Sequence, residues 1–382
     1  MARLRPSSNH LADPATYDPA VPAPRLDACP GALTLHEAAD GLLARVRLPG
    51  GLITGEQVAA LAGLFGDFGD GRLELTSRGN VQLRALTDPG AVAEALAAVG
   101  LLPSSSHERV RNIVASPLAG IDGSHDVTDV VHALDAGLCG RPRLAELSGR
   151  FLFAVDDGRG DMASLKADVT LGFGIQVEDA LEIAEAFLDV RAEQGSAAWR
   201  ISELEGGVAA VAARIPTLIN WAESTPERAF NPVTHDRPAG VVAQPDGRSA
   251  LVVLAPLGRL DGAQLRWLAQ IAGARGLRIT PWRSVVIPDL EHVERVQAEA
   301  AELGLGIDAA SPWYRVSACT GMPGCAKALA DVQHDAREAA DRWRGRNVRW
   351  SGCERRCGRP SDTDIDVIAT AQGYTTAGAG ID

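Results

Sequence analysis

Between residues 42 and 99 the spacing of apolar positions switches repeatedly between a period of two and a period near 3.6. It predicts a strand over 42–48, a helix over 56–65, a strand over 72–76, a tight Ser-Arg-Gly-Asn turn, a strand over 81–85 and a helix over 91–99. This β-α-β-β-α order is half of a ferredoxin-like arrangement. The pattern then returns. LPGGLITGEQVAALA, starting at Leu48, aligns with APLGRLDGAQLRWLA, starting at Ala255, at a shift of 207 residues. The two stretches share Pro49/Pro256, Gly51/Gly258, Gly55/Gly262, Gln57/Gln264, Leu61/Leu268 and Ala62/Ala269. LELTSRGNVQL and LRITPWRSVVI continue the repeat as strand, polar turn and strand. Such self-similarity predicts a duplicated unit whose halves close into one domain about a pseudo-twofold axis.

Between the halves, the pattern predicts a helix over 129–136, the strand RFLFAV, the loop DDGRGD, the strand DVTLGFG, and helices over 178–192 and 203–212. After the second half, Cys325, Leu329, Val332, Ala336, Ala339 and Trp343 recur at steps of four and three, predicting one buried helical stripe. This places Cys325 at a helix start on the core side, where free N–H groups favour an anionic thiolate. A strand over 347–350 follows, and a last one over 365–370. The expected class is therefore α+β: duplicated ferredoxin-like halves at 29–105 and 238–308, one α+β lobe at 106–237 and a second at 309–382, after a disordered leader over 1–28.

Composition narrows the function. A chain of 382 residues with 46% hydrophobic content has the material for two or three cores. Its net charge of −12 argues against a general nucleic-acid or membrane-surface binder. Only two of its 37 basic residues are lysines, Lys166 and Lys327, so position rather than number must carry any argument about arginines. The N-terminal segment has Pro, Ser and Asp where a signal peptide needs an apolar core. The apolar run SALVVLAPL is short enough to be a buried strand rather than a membrane span. A cytoplasmic location with reduced thiols is expected.

Reduced thiols in close pairs are metal ligands. CTGMPGC (Cys319, Cys325) and CERRC (Cys353, Cys357) give spacings C-x5-C and C-x3-C, with 27 residues between the pairs. Soft thiolates select zinc or iron–sulfur. Paired zinc ligands usually have two or three residues between them, so five is long for zinc, whereas four cysteines of one chain suit an iron–sulfur cluster. Cys29 and Cys139 lie outside the set and read as small buried hydrophobes.

This double motif resembles that of the sirohaem and [4Fe–4S] nitrite and sulfite reductase superfamily. Within it, SACTGMPGC and WSGCERRCGRP most closely resemble the precorrin-3B synthases of aerobic cobalamin biosynthesis. The resemblance implies two further lobes of nitrite/sulfite reductase type around the ferredoxin-like domain. It also implies a [4Fe–4S] cluster on Cys319, Cys325, Cys353 and Cys357, and substrate carboxylates gripped by Arg78 in TSRGN, Arg111 in VRN and Arg150. Arg84 and Arg283 match the family less cleanly. Sulfite reductases carry Pro-Arg-Lys-Phe-Lys, whose two lysines contact the bound anion, where this chain has Ser148-Gly149-Arg150-Phe151-Leu152, so one of those lysine positions stays a cation, Arg150, and the other becomes apolar, Leu152.

The implied activity is an O2-dependent mono-oxygenase reaction that turns precorrin-3A into precorrin-3B by meso-carbon hydroxylation and lactone formation. Its implied partners are the tetrapyrrole, dioxygen, and an external electron donor such as a ferredoxin or an NAD(P)H-linked reductase. The alternative is a sirohaem-dependent sulfite or nitrite reductase. A mononuclear non-haem iron could activate oxygen, but the eight histidines include no pair at ligand spacing on a shared helix, so its ligands stay unassigned, as do the catalytic residues. DDGRGD reads either as an acidic metal loop or as a β-hairpin turn. Neither G-x-G-x-x-G after a strand nor a Walker loop is present, which places the source of electrons on another protein.

Overall fold

The structure, a computed structural model, describes residues 27, 29–172, 174–216 and 237–378; the predicted leader falls almost wholly outside them. The first half contains β1 (His36–Ala38), β2 (Gly41–Val46), β3 (Leu52–Ile53), α1 (Gly55–Phe68), β4 (Arg72–Leu75), β5 (Val81–Leu86) and α2 (Pro89–Ala98). The first lobe contains β6 (Ile113–Ala115), α3 (Thr128–Gly140), β7 (Phe153–Val155), β8 (Val169–Leu171), α4 (Val177–Glu193) and α5 (Gly207–Ala212). The second half repeats the first as β9 (Gly240–Ala243), β10 (Ser249–Leu254), β11 (Arg259–Asp261), α6 (Gly262–Ile271), β12 (Leu277–Ile279), β13 (Ser284–Leu290) and α7 (Val293–Glu302). The last lobe contains β14 (Val316–Ala318), α8 (Val332–Glu338), β15 (Val348–Ser351), β16 (Ile365–Thr370) and β17 (Gly373–Gly378).

The duplication has a physical signature. Thr54 caps α1 with Gln57 in a capping box, and Asp261 caps α6 with Gln264 in the same way. Each glutamine then spends its amide N–H on the end of the helix that follows: Gln57 Nε2 donates to the Val99 carbonyl at 3.0 Å and Gln264 Nε2 to that of Leu303 at 2.9 Å. The repeated glutamine is therefore a helix-to-helix tie. The halves also exchange strands. One sheet runs β1-β2-β5-β4-β11 and the other β3-β12-β13-β10-β9, so each half lends a short strand to its partner's sheet. Leu61 and Phe65 of α1 share one core with Leu265 and Leu268 of α6.

Alternation on the first sheet separates two faces. Ala44, Val46, Leu73, Val81 and Leu83 point into that core. Arg45, Glu74, Gln82 and Arg84 point the other way, toward the last lobe. The first lobe is a parallel sheet β6-β7-β8, and the last a mixed sheet β14-β15-β16-β17. Asn80 and Asn112, both fully buried, join half to lobe: Asn80 accepts from Leu48 N and donates to Asn112, which donates to the Phe151 carbonyl. Among the described residues no helix is long and apolar enough to cross a membrane.

Three predicted elements differ. The helix expected over 203–212 is interrupted, because Gly206 and Gly207 take φ of 72° and 47°, leaving only α5. DDGRGD joins two parallel strands, so it is no hairpin turn. The long stripe through Cys325 contracts to α8, since the Asp331 carboxylate accepts from His334 N and starts the helix there. Leu329 is consequently exposed at 54%. β17 has no alternation of apolar residues and is exposed along its length, so the sequence pattern did not reveal it.

Candidate functional site

The polar face of the first sheet and the cysteine loops of the last lobe enclose a cleft of about 620 Å³. All four paired cysteines, Cys319, Cys325, Cys353 and Cys357, line it. β14 delivers Cys319 and β15 delivers Cys353, on parallel neighbouring strands: Cys319 N donates to the Trp350 carbonyl at 2.9 Å. Gly352 N donates to Cys319 Sγ at 3.1 Å, and the Gly352 carbonyl accepts from Leu329 N at 2.8 Å. A Cβ on Gly352 would stand 2.9 Å from Ala328 Cβ, so only glycine lets the two loops meet. Cys325 sits in a turn before α8 rather than at a helix start, and Cys357 is exposed.

The donor set can be tested against a metal. Tetrahedral zinc with Zn–S bonds of about 2.3 Å brings its thiolates to roughly 3.8 Å of one another. Among the described residues no three of these thiols lie within 4.8 Å of each other. A cluster, whose ligands attach to separate iron atoms, does not require its thiols to stand so close. The charge environment agrees. Arg349, 2% exposed on β15, donates Nη2 to the Cys357 carbonyl at 2.6 Å, while its Nε and Nη1 have no partner. Burial and the neighbouring Arg283 lower its pKa to about 10. A buried cation with two idle donors beside thiols is what an anionic group would complete.

Five cations on the cleft wall, Arg45, Arg283, Lys327, Arg349 and Arg355, make no ion pair with a carboxylate among the described residues. Arg45 gives its guanidinium to the neutral Gln82 amide at 2.8 and 3.2 Å, and burial lowers its pKa. Gln82 passes a 2.7 Å bond to Glu74, which Arg259 also holds. Arg283 takes the left-handed φ of 61° in the β12–β13 turn, and burial lowers its pKa. Arg84 is different: it pairs with Asp40 through two 2.8 Å bonds and donates to the Gly324 carbonyl at 2.9 Å. It braces the first cysteine loop. Arg45 and Arg349 escaped the sequence reading, although an arginine at the centre of an apolar strand such as VRWS is the signal that could have found the second.

The three arginines expected to grip a substrate lie elsewhere. Arg78 is half-buried beyond the Thr76 and Ser77 rim of the cleft and donates to the Gly149 carbonyl at 3.3 Å. Burial and the nearby Arg200 lower its pKa to about 10. Arg150 is exposed and stacks 4.5 Å over the Trp199 ring. Arg111, by contrast, is 4% exposed and held by Asp135 through two 2.7 Å bonds, so it has no free donor fork for a carboxylate. Leu152, where the resembling reductases carry a lysine, is 2% exposed in an apolar cluster with Val114 and Met162.

The remaining candidates are quieter. Cys29 and Cys139 stand apart from the cleft, their thiols pushed up by burial and, respectively, by Asp27 and Asp135. In DDGRGD the carboxylates of Asp156, Asp157 and Asp161 converge within 4.8 Å. Asp156 accepts N–H bonds from Gly158, Gly160 and Met162, and Arg159 sits on Asp157 and Asp122, so the loop supplies its own partners. Burial, with Asp156 and Asp157 alongside, raises Asp161 to about 6.

Comparison with known proteins bears on this arrangement. The family described as the nitrite/sulfite reductase ferredoxin-like half domain matches residues 36–99 and 242–303. The ferredoxin–nitrite reductase of Synechococcus elongatus is 28% identical over 399 residues, covering 85% of this chain and 76% of its own length. A precorrin-3B synthase from a Sinorhizobium species is 26% identical over 388 residues, covering 92% and 82%. The solved structure of the Mycobacterium tuberculosis NirA protein shares the fold, with a TM-score of 0.67 at 19% identity over 88% of this chain and 73% of its own.

Proposed function

We propose, from the premise that this chain carries two nitrite/sulfite reductase ferredoxin-like half domains, that it is an oxidoreductase of the precorrin-3B synthase kind. In this reading Cys319, Cys325, Cys353 and Cys357 hold a [4Fe–4S] cluster, which supplies electrons to the cleft when bound. The cleft takes precorrin-3A as substrate, and one atom of dioxygen enters its meso carbon while the other leaves as water. That stoichiometry needs two electrons and two protons, drawn from an external donor such as a ferredoxin. The chain's own part is recognition. Arg45 and Arg283, unpaired on the cleft wall, are suited to the carboxylates around a tetrapyrrole, with Arg78 and Arg150 further out.

The observation that carries this reading is Leu152. A site reducing an oxyanion must hold developing negative charge, and preorganised cations are the means of doing so. Here the second lysine of the reductase motif is Leu152, an apolar side chain packed into a core. The second reading, a sirohaem-dependent nitrite or sulfite reductase, is favoured by the 28% identity to the Synechococcus enzyme. One experiment separates them: anaerobic purification, acid-acetone extraction of pigment, and incubation with precorrin-3A, dioxygen and a reductant. The expected result is iron and labile sulfide without stoichiometric sirohaem, and a product heavier by one oxygen atom. Stoichiometric sirohaem with reductant-dependent loss of nitrite or sulfite overturns the proposal.

A further inference from the structure

Arg349 is the most heavily buried of the unpaired cleft cations, and two of its three guanidinium nitrogens have no partner. Its one bond goes to the carbonyl of Cys357, and its charge falls on Cys319 and Cys357. Its register partner on β16 is Asp366, yet the two make no ion pair: Arg359 already holds Asp366 Oδ2 at 2.7 Å. Arg283 lines the same cleft, its stem lying over Gly258, where a Cβ would come within 2.5 Å of Arg283 Cδ. The Arg283 side chain makes no hydrogen bond or ion pair among the described residues and acts on Arg349 as a like charge. Two guanidiniums from different parts of the chain thus lie near one another on the cleft wall without an ion pair, and one of them, Arg349, acts on the thiols.

We infer that Arg349, supported by Arg283, is a fixed counter-cation of the group held by the four cysteines and raises that group's reduction potential. This rests on the reading that those cysteines hold an iron–sulfur cluster. The reasoning is electrostatic. Reduction adds one electron to an already anionic assembly, so a buried cation that cannot lose its proton stabilises the reduced form more than the oxidised one. Bulk water cannot screen it, because Arg349 is out of solvent. The two idle donors gain acceptors in the same step. Arg349 and Arg283 are then tuning residues that need not touch the substrate.

The test is an anaerobic potentiometric titration with dithionite, following the paramagnetic signal of the reduced cluster, on the full chain and on Arg349→Met, Arg349→Lys, Arg283→Met and Asp366→Asn. At the wild-type midpoint, Arg349→Met should show a reduced-to-oxidised ratio lowered about tenfold, which corresponds to a midpoint about 59 mV more negative for one electron. Arg283→Met should move the same way by less, Arg349→Lys should retain most of the wild-type value, and Asp366→Asn should not move negative. An Arg349→Met protein with full iron and sulfide and an unchanged midpoint overturns the inference. Should that variant lose its cluster, Arg349→Gln is titrated in its place, and unchanged midpoints in it and in Arg283→Met together overturn the inference. A wild-type chain without iron and sulfide refutes the cysteine reading itself, a distinguishable failure.

Discussion

Arg84 divides a structural from a ligand-binding reading most sharply. Its side chain is 5% exposed and its partner Asp40 14%. Arg84→Met keeps the aliphatic stem in place and removes only the charge and its bonds. Breaking one member of a buried pair leaves the other charge uncompensated, at about 3 to 5 kcal/mol. Asp40 retains enough exposure to recover part of its hydration, so about 2 to 3 kcal/mol is the working figure for this pair. A further ~1 kcal/mol belongs to the lost bond to the Gly324 carbonyl, which ties the first cysteine loop to the sheet. That last amount is worth roughly a fivefold rise in the detached population of the loop. Urea denaturation followed by tryptophan fluorescence should therefore show a loss of about 3 to 4 kcal/mol, and a chelator should strip iron several-fold faster. The double variant Arg84→Met/Asp40→Leu, which removes the stranded charge as well, should be more stable than Arg84→Met alone. A variant that weakens substrate binding at unchanged stability would refute this reasoning and return Arg84 to the ligand.

Three other outcomes are expected. Serine at any one of Cys319, Cys325, Cys353 or Cys357 should abolish the brown absorption and labile sulfide, whereas Cys139→Ser should leave both; a full cluster in Cys353→Ser contradicts the ligand set. Arg111→Met should strand Asp135 and lower stability by about 2 to 4 kcal/mol with substrate affinity intact, so a fall in affinity at constant stability in a binding titration would count against the structural role. Asp161 has a folded-state pKa of about 6 against an ordinary 3.8, so the folded chain binds its proton more tightly. Its contribution is present below the lower value and is lost as pH rises through the higher one. At about 1.36 kcal/mol per unit, reduced by roughly half for partial exposure, Asp161→Asn should stabilise by about 1 to 2 kcal/mol at pH 8 and by little at pH 4, read from urea midpoints. Equal gains at both values would remove the titration argument.

The duplicated halves were legible because burial writes a period into the sequence, and because Pro49, Gly51 and Gln57 recur 207 residues later with the same tasks. The cysteines were legible for a different reason: a soft-metal site needs one residue type at short spacings, and that survives without any structure. What could not be read was direction. Arg84, Arg111 and Arg349 look alike in a string of letters, yet Asp40 and Asp135 pair with the first two from 44 and 24 residues away, and the third makes no ion pair and leaves two nitrogens without a partner. The stripe through Cys325 misled because its spacing is helical while Asp331 offers a better helix start. The strands of the last lobe were half visible: β15 is apolar and buried, but β17 is held by its backbone ladder to β16 and not by its side chains.

The strands exchanged between the halves set the order in which the chain can become itself. β4 pairs with its second neighbour, β11, with Leu73 opposite Leu260, and this can happen only after 184 further residues have been made, the count from Leu75, the last residue of β4, to Arg259, the first of β11. Until then the β4 edge presents open N–H and C=O groups, and the first half is a sheet with an unfinished border. Loop closure over that span adds only slowly to the entropy, so the finished domain is not penalised heavily for its topology. The exposure is one of time: a nascent chain must keep this border from meeting another like it until its own second half emerges from synthesis.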